Sequence, residues 1–307
     1  MQSPLVSVIM PYFNAMPYIA ESIASILNQT YGNFELILVD DGSFDSSAYV
    51  VAGFKDSRLI HLRNETNLGI TASLNIGLQM AKGEFIARMD ADDVSHAERL
   101  QLQIDFLREN PSVDIVSGGI QFSETKRYQC YDYTNDILEI LFLFENPISH
   151  PTAIWRKQRL LAHHISYDEH ALFVEDYKLW IDCILSGLQF RILPTPVLTY
   201  RQHESQITKT RREKQFANFL RIAYLYLQAI FPEAVSFSAP KKFYSLVTNK
   251  VMDSQELSEC IDFIDRLVEL NQQKRELNAE LFSGIMQAKK AQLLHFGYAK
   301  QADPSLR

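Results

Sequence analysis

Four consecutive residues, Asp90-Ala91-Asp92-Asp93, carry the densest potential chemistry in this 307-residue chain. Three carboxylates within four positions repel one another unless a cation or solvent relieves them. Hard oxygen ligands suit Mg or Mn, ions that keep bound water and accept substrate phosphates as further ligands. Such a site can hold a diphosphate and offset the charge that grows on it as it departs. The plainer alternative is a solvated acidic turn capping the next helix, since Asp93 stands before Ser95 and Glu98. A second cluster, Asp40-Asp41-Gly42-Ser43, offers a carboxylate that can accept hydrogen bonds from a base or ribose. Taken alone it reads as a turn and helix cap, with Gly42 permitting the turn. In a third, Glu175-Asp176, like-charge repulsion should raise one pKa. Taken alone, that pair is an acidic helix N-terminus.

These clusters need elements to position them. The apolar runs Val6–Met10, Phe34–Val39, Leu59–Leu62 and Phe85–Met89 read as strands. Helical spacing falls between them, at Pro17–Asn28, near Ser46–Phe54 and at about Ile70–Met80. The alternation argues for βαβ units and a parallel sheet, and the nearly continuous apolar strands for a sheet covered on both faces. Pro11–Asn14, Asp40–Ser43 and Asp90–Asp93 then fall at carboxyl ends of strands, where open α/β sheets bind ligands. Further on, the pattern predicts helices at Ala97–Glu109, Ile137–Phe144 and Glu175–Ser186. It predicts strands near Asp114–Ser117, His150–Trp155, Gln189–Leu193 and Val197–Arg201, and a polar, aromatic crossing at Glu124–Tyr133. Beyond about Ser205 two helical stripes remain, Phe216 to Phe231 and a second long segment holding Leu267, Leu270, Leu277, Leu281 and Ile285.

The net charge of −7 argues against a surface built to neutralise nucleic-acid phosphates. The three cysteines are scattered, without the spacing of a zinc or redox motif. The apolar N-terminal run is too short for a secretory signal core. No stretch approaches the roughly 20 apolar residues that span a bilayer. The expectation is a cytoplasmic protein, or one held peripherally on the inner face of the cytoplasmic membrane.

The ordered motifs resemble family 2 glycosyltransferases over roughly residues 5–207. They run from Val6-Ser7-Val8-Ile9-Met10-Pro11-Tyr12-Phe13-Asn14 through Ser25-Ile26-Leu27-Asn28-Gln29-Thr30 and Leu38-Val39-Asp40-Asp41-Gly42-Ser43. Asn67-Leu68-Gly69, Arg88-Met89-Asp90-Ala91-Asp92-Asp93, His150-Pro151-Thr152, Glu175-Asp176-Tyr177 and Tyr200-Arg201-Gln202-His203 follow in the same order. The resemblance implies a GT-A fold, α/β with a mostly parallel, Rossmann-like sheet and flanking helices over residues 1–205. A helical C-terminal region at 206–307 would be added to it. It implies a UDP-sugar donor, with Asp41 at the uracil and Pro11, Tyr12, Phe13, Asn14 and Asn67 lining the nucleotide. Asp90, Ala91 and Asp92 would sit at the ribose and at a Mn or Mg ion, with Asp93 and His203 as further candidate ligands. Asp176 would be the general base of an inverting transfer to a carbohydrate or lipid-linked saccharide acceptor. Bacterial surface polysaccharide or lipopolysaccharide synthesis is the expected setting.

The remaining readings are local. Glu175, Trp180 and His150 are candidates for the acceptor side, although an aromatic on a helix is more often core. The basic cluster Lys209, Arg211, Arg212 and Lys214 ahead of the Phe216–Phe231 stripe could rest on an anionic membrane. Packing of that stripe within the protein is the stronger expectation, and the Leu270–Ile285 segment could serve a homodimer. Two rival functions are a sugar nucleotidyltransferase, which needs a Gly-rich loop after the first strand that Pro11–Asn14 lacks, and a non-catalytic sugar-nucleotide binder. A binder would have no need of Asp90, Asp92 and Asp176, all of which are present.

Overall fold

The computed structural model describes residues 3–203, 206, 210–234, 239–250 and 253–302. The chain forms two compact units, residues 1–134 with 148–215 and residues 135–147 with 216–307.

The first unit is built on a mixed sheet. In chain order its strands are β1 (Val6–Tyr12), β2 (Phe34–Asp40), β3 (Leu59–Arg63), β4 (Phe85–Arg88), β5 (Val94–Ser95), β6 (Ile115–Phe122), β7 (Tyr128–Gln129), β8 (Ile154–Arg156) and β9 (Phe190–Tyr200). The spatial order is β3-β2-β1-β4-β8-β6-β9-β5, with β7 on β6. β3, β2, β1 and β4 run parallel. Their connections are α1 (Ile19–Leu27), α2 (Ser47–Gly53) and α3 (Ile70–Met80), as the alternating pattern predicts. The other half departs from it: β8 is antiparallel to both β4 and β6, while β6 and β9 are parallel. Two reversals cancel, so β9 points the same way as β4. α7 (Glu175–Leu185) precedes β9, so its N-terminus lies at the carboxyl rim from which β1, β2 and β4 also exit.

Several boundaries differ from expectation for visible reasons. Pro11 and Tyr12 are not in a turn; they finish β1, paired with Val39 and Asp40, and both are buried. Pro11 lies beyond the last β1–β4 pair, Ile9 with Arg88, so its missing N–H falls where the neighbouring strand has ended. His150–Thr152 is a 3-10 turn rather than the start of a strand, and β8 begins only at Ile154. The two strands expected at 189–193 and 197–201 are one, β9, kept continuous by register shifts against Gly118 and Gly119.

Both sheet faces are covered. α1 buries Ile19, Ile23 and Ile26, and α4 (Arg99–Glu109) buries Leu100, Ile104 and Leu107, with Val6, Val8, Met10, Leu36 and Leu38 of the central strands in the same core. α3 comes closest to β1 through Gly77, where a Cβ would stand 2.4 Å from Ile9 Cγ2. α5 (Asn135–Leu141) belongs to the second unit, and α6 (Lys157–Ala162) leads into the segment before α7.

The second unit is helical: α5, α8 (Arg212–Ile230), α9 (Ala239–Thr248), α10 (Ser254–Lys274) and α11 (Ala279–Ala302). Ala223, Leu227 and Phe231 of the expected stripe are buried, whereas Phe216 is exposed. Lys209 of the basic cluster lies outside the described residues. The second stripe is two helices, not one. Arg275 ends α10 in the left-handed region (φ 59°), and the Asn271 side chain accepts from Leu277 N–H (2.9 Å) and donates to its carbonyl (3.1 Å). Among the described residues no helix is long and apolar enough to cross a membrane.

Gly77→Ala gains about 1 kcal/mol of helix propensity, but overpacking costs typically about 1–3 kcal/mol, and here the new methyl meets a side chain of the central strand. The expected result is a lower urea midpoint with an unchanged m-value. An unchanged or raised midpoint would mean that the α3–β1 contact yields.

Candidate functional site

Strand spacing of about 4.8 Å puts the exits of β2 and β4, either side of β1, about 10 Å apart. Asp41 leaves β2 and Asp90 follows β4, so the two acidic clusters flank the end of β1.

Asp41 is buried (3% exposed) and spends its carboxylate inside the protein. One oxygen accepts from Asn64 Nδ2 (2.8 Å) and Leu68 N–H (2.9 Å), the other from Gly69 N–H (2.8 Å). It therefore ties down Leu68 and Gly69, the two residues that lead into α3. It also fixes the loop carrying Asn67, which is exposed. Gly42 (φ 75°) permits the approach, because a Cβ there would stand 2.8 Å from the Thr66 backbone. Asp40 is fully buried, accepts from Ser43 N–H (2.8 Å) and pairs with Arg63 (3.1 Å). Across from them, Asn14 holds a left-handed backbone (φ 50°), donates its N–H to Ser43 Oγ (3.0 Å) and accepts from Phe44 N–H (3.0 Å). Of the four residues expected to line a nucleotide here, Phe13 and Asn14 reach solvent, while Pro11 and Tyr12 are built into the sheet.

The acidic turn brings Asp90, Asp92 and Asp93 together, one carboxylate oxygen from each lying within 4.8 Å of the others. Ser22 Oγ pins the turn by donating to the carbonyls of Ala91 (2.9 Å) and Asp93 (2.6 Å). Asp90 pairs with Arg88, a guanidinium that is 2% exposed. Asp93 accepts from Arg201 N–H (2.9 Å), and its other oxygen is buried without a hydrogen-bond partner. Burial, reinforced by Asp90 and Asp92, holds the Asp93 pKa well above the usual carboxylate range. Burial and Asp92 also raise Asp90 against the pull of Arg88. Three crowded carboxylates, one of them with an unsatisfied oxygen, form a donor set that fits a hard divalent cation. His203 stands over the same turn: its Nε2 meets Asp92 Oδ2 at 2.8 Å, and its ring stacks on Tyr18 at 5.0 Å.

The third cluster meets the second at Arg88. Glu175 opens α7, is 8% exposed, and leaves Oε2 unpartnered. Burial first and the adjacent Asp176 second push its pKa up to about 7, with Asp90 adding to the rise and Arg88 opposing it. Asp176 is half-buried and accepts from Tyr177 N–H (2.7 Å). Tyr167, fully buried, bonds His150 Nε2 (2.8 Å), and Asn75 of α3 clasps the Tyr167 backbone through its N–H (3.1 Å) and carbonyl (3.0 Å).

Two expected acceptor-side residues are buried. Trp180 is fully buried, edge-on to Trp155, Phe190 and His150, so no ring face is open to a sugar. His150 is 8% exposed and spends Nε2 on Tyr167; burial and Arg88 keep it neutral by pulling its pKa well down. Sequence reasoning passed over Arg88, Tyr167, Tyr18 and Asn75. Only Arg88 left a signal, a charge inside the apolar run Phe85–Met89, where burial requires a partner.

Comparison with known proteins points to one family. A family model described as glycosyl transferase family 2 matches residues 7–178. An uncharacterized glycosyltransferase of Haemophilus influenzae is 34% identical over 227 residues, 69% of this chain and 70% of that protein. The UDP-Glc:alpha-D-GlcNAc-diphosphoundecaprenol beta-1,3-glucosyltransferase WfgD of Escherichia coli is 44% identical over 110 residues, 36% of this chain and 44% of its own length. Among solved structures, S. aureus TarS 1-349 in complex with UDP-GlcNAc superposes with a TM-score of 0.64 at 19% identity, covering 97% of this chain and 91% of that one. At that identity the superposition speaks to the fold, which is GT-A-like, with a mixed sheet, flanking helices and a helical C-terminal region. The match over residues 7–178 spans more than half of the sequence and takes in all three acidic clusters, and by it the chain belongs to the family 2 glycosyl transferases.

Proposed function

We propose that this glycosyltransferase is inverting and moves a sugar from a UDP-sugar to a hydroxyl of a carbohydrate or lipid-linked saccharide acceptor. Bacterial surface polysaccharide or lipopolysaccharide is its proposed product. The observation that carries the reading is the convergence, on one sheet rim, of the acidic turn and the start of α7, with Arg88 and Asp90 acting electrostatically on Glu175. The solved relative TarS was crystallised with UDP-GlcNAc, and the name of the Escherichia coli relative gives a UDP-glucose donor and a diphosphoundecaprenol-linked acceptor. Both support a UDP-sugar and, for the acceptor, a lipid-linked saccharide.

In this reading Phe13, Asn14 and the Asn64–Gly69 loop, held by Asp41, seat the base and ribose. Asp92 and Asp90, with Asp93, hold a Mn or Mg ion, and His203 orients Asp92. When bound, that ion supplies positive charge against the diphosphate as its bond to the sugar breaks. Asp176 takes the proton from the acceptor hydroxyl while that oxygen attacks the anomeric carbon opposite the diphosphate, so a single displacement inverts the configuration. A positioned base of this kind contributes about 10²–10⁴-fold. Glu175, buried behind it, keeps α7 from presenting two full negative charges side by side. Arg88 fixes Asp90 from beneath.

Incubating the protein with a panel of nucleotide-sugars, with Mn, Mg or chelator, is expected to give donor hydrolysis or transfer only with a UDP-sugar and a divalent ion. Asp176→Asn should reduce transfer by about 10²–10⁴-fold with UDP affinity within twofold of the parent. Normal transfer by that variant would remove Asp176 from the role of base.

Glu175 also predicts a pH dependence of stability. Between its ordinary value of 4.5 and its folded value of about 7, the unfolded chain has released a proton that the folded chain keeps. Stability therefore falls as pH rises through that window and levels off above it. The gap corresponds to at most about 3 kcal/mol. Glu175→Gln should melt higher than the parent at about pH 8 and equally at about pH 4.5. Parallel melting curves at both values would show that Glu175 ionises normally.

A further inference from the structure

One large apolar side chain at the rim has no role in the family motifs. Phe44 follows Asp40-Asp41-Gly42-Ser43 and is 84% exposed, although burying such a ring would be favourable by about 1.5–3 kcal/mol. Its placement is not a loose-loop accident. Its N–H donates to Asn14 Oδ1, Ser43 Oγ accepts from Asn14 N–H, and Arg63 Nη2 donates to the Ser43 carbonyl (2.8 Å). These bonds sew the end of β1 to the end of β2 and hold Asn14 in its left-handed conformation, the kind of strain that survives where surrounding structure imposes it. The result is a pair of outward rings. Phe13, 43% exposed, and Phe44 meet edge to face, with centroids 5.7 Å apart and planes at 78°.

Two aromatic planes near a right angle make a corner: a flat ligand lying against one ring is bounded by the other. Phe13 directly follows β1 and Phe44 directly follows Asp41-Gly42-Ser43, so the corner lies on the rim where the nucleotide is proposed to sit. An aromatic face binds a planar base without regard to its edge pattern, and the edge is then read by polar groups nearby.

We infer that Phe44 is a nucleobase-stacking residue, forming with Phe13 an aromatic corner that seats the planar base of the donor nucleotide. The inference rests on the nucleotide-binding reading above and adds to it a residue outside the motifs.

The test uses UDP as the probe on the full chain. Calorimetric titration with UDP and Mn is expected to show weaker binding by Phe44→Ala, roughly 5- to 100-fold, with Mn–pyrophosphate binding unchanged. Phe44→Leu, which keeps bulk without a π-face, should be nearly as weak, and Phe44→Trp should bind at least as well as the parent. The native tryptophans, Trp155 and Trp180, are 1% and 0% exposed, so an indole introduced by F44W reports from solvent apart from them. UDP should quench its emission with the calorimetric affinity. If UDP binds the parent while F44A and F44L bind it equally well and the F44W emission does not respond, Phe44 does not stack the base and the donor assignment stands. If the parent binds no UDP, both readings fall. An F44A variant with unchanged UDP affinity but altered sedimentation would overturn the inference and make the corner a contact between copies.

Discussion

Carboxylates gathered around the exit of one strand cannot all stay ionised unless positive charge or hydrogen-bond donors come to meet them, and much of the first unit answers that requirement. Arg88 reaches Asp90 from within the sheet, the Arg201 backbone reaches Asp93 from the end of β9, and His203 reaches Asp92 from the residues that follow. Each answer comes from a different part of the chain, and the topology must deliver them to one place. The double reversal through β8 and β6 does so, because it turns β9 to run with β4 and lets its last residues arrive beside the turn. One oxygen of Asp93 is left unanswered, buried without a hydrogen-bond partner.

The same economy explains how the two ends of the proposed site are held in common register. Asp41 holds Leu68 and Gly69, which lead into α3, and α3 carries Asn75, which clasps the Tyr167 backbone. Tyr167 in turn holds His150 beneath α7. A single helix thus ties the loop proposed to hold the base to the segment that leads into Glu175 and Asp176. The tie consists of hydrogen bonds to backbone, whose geometry is narrow, rather than of side-chain packing, which tolerates repacking.

The parallel half of the sheet was legible because its strands are long apolar runs separated by helical spacing, as in Val6–Met10 and Phe34–Val39. The acidic clusters were legible for the same reason, since they are polar interruptions at strand ends. What failed depended on partners distant in sequence. Nothing local says that Pro11 continues a strand; that depends on β4 ending at Arg88. Nothing around Trp180 separates a sugar platform from a core residue until Trp155 and Phe190 pack against it. Nothing around Asp41 announces its bonds to Leu68 and Gly69, which lie 27 and 28 residues on. His150 read as a strand residue because its single 3-10 turn, closed by Thr152 N–H on the Ser149 carbonyl and Ala153 N–H on the His150 carbonyl, is too short to leave a periodic pattern.

The second unit raises a different matter. Residues 135–147 leave the first unit and belong with residues 216–307: α5 lies against α11, and Tyr226 Oη donates to the Glu139 carbonyl (3.0 Å). The thirteen-residue excursion keeps Leu138, Ile140, Phe142 and Leu143 fully buried. A chain cut after residue 215 would retain that excursion and lose the helices that cover it, baring an apolar strip in the middle of what remains. The carboxyl-terminal helices are therefore no detachable appendix, and exchange of tails between enzymes of this build would have to carry a short internal segment with it.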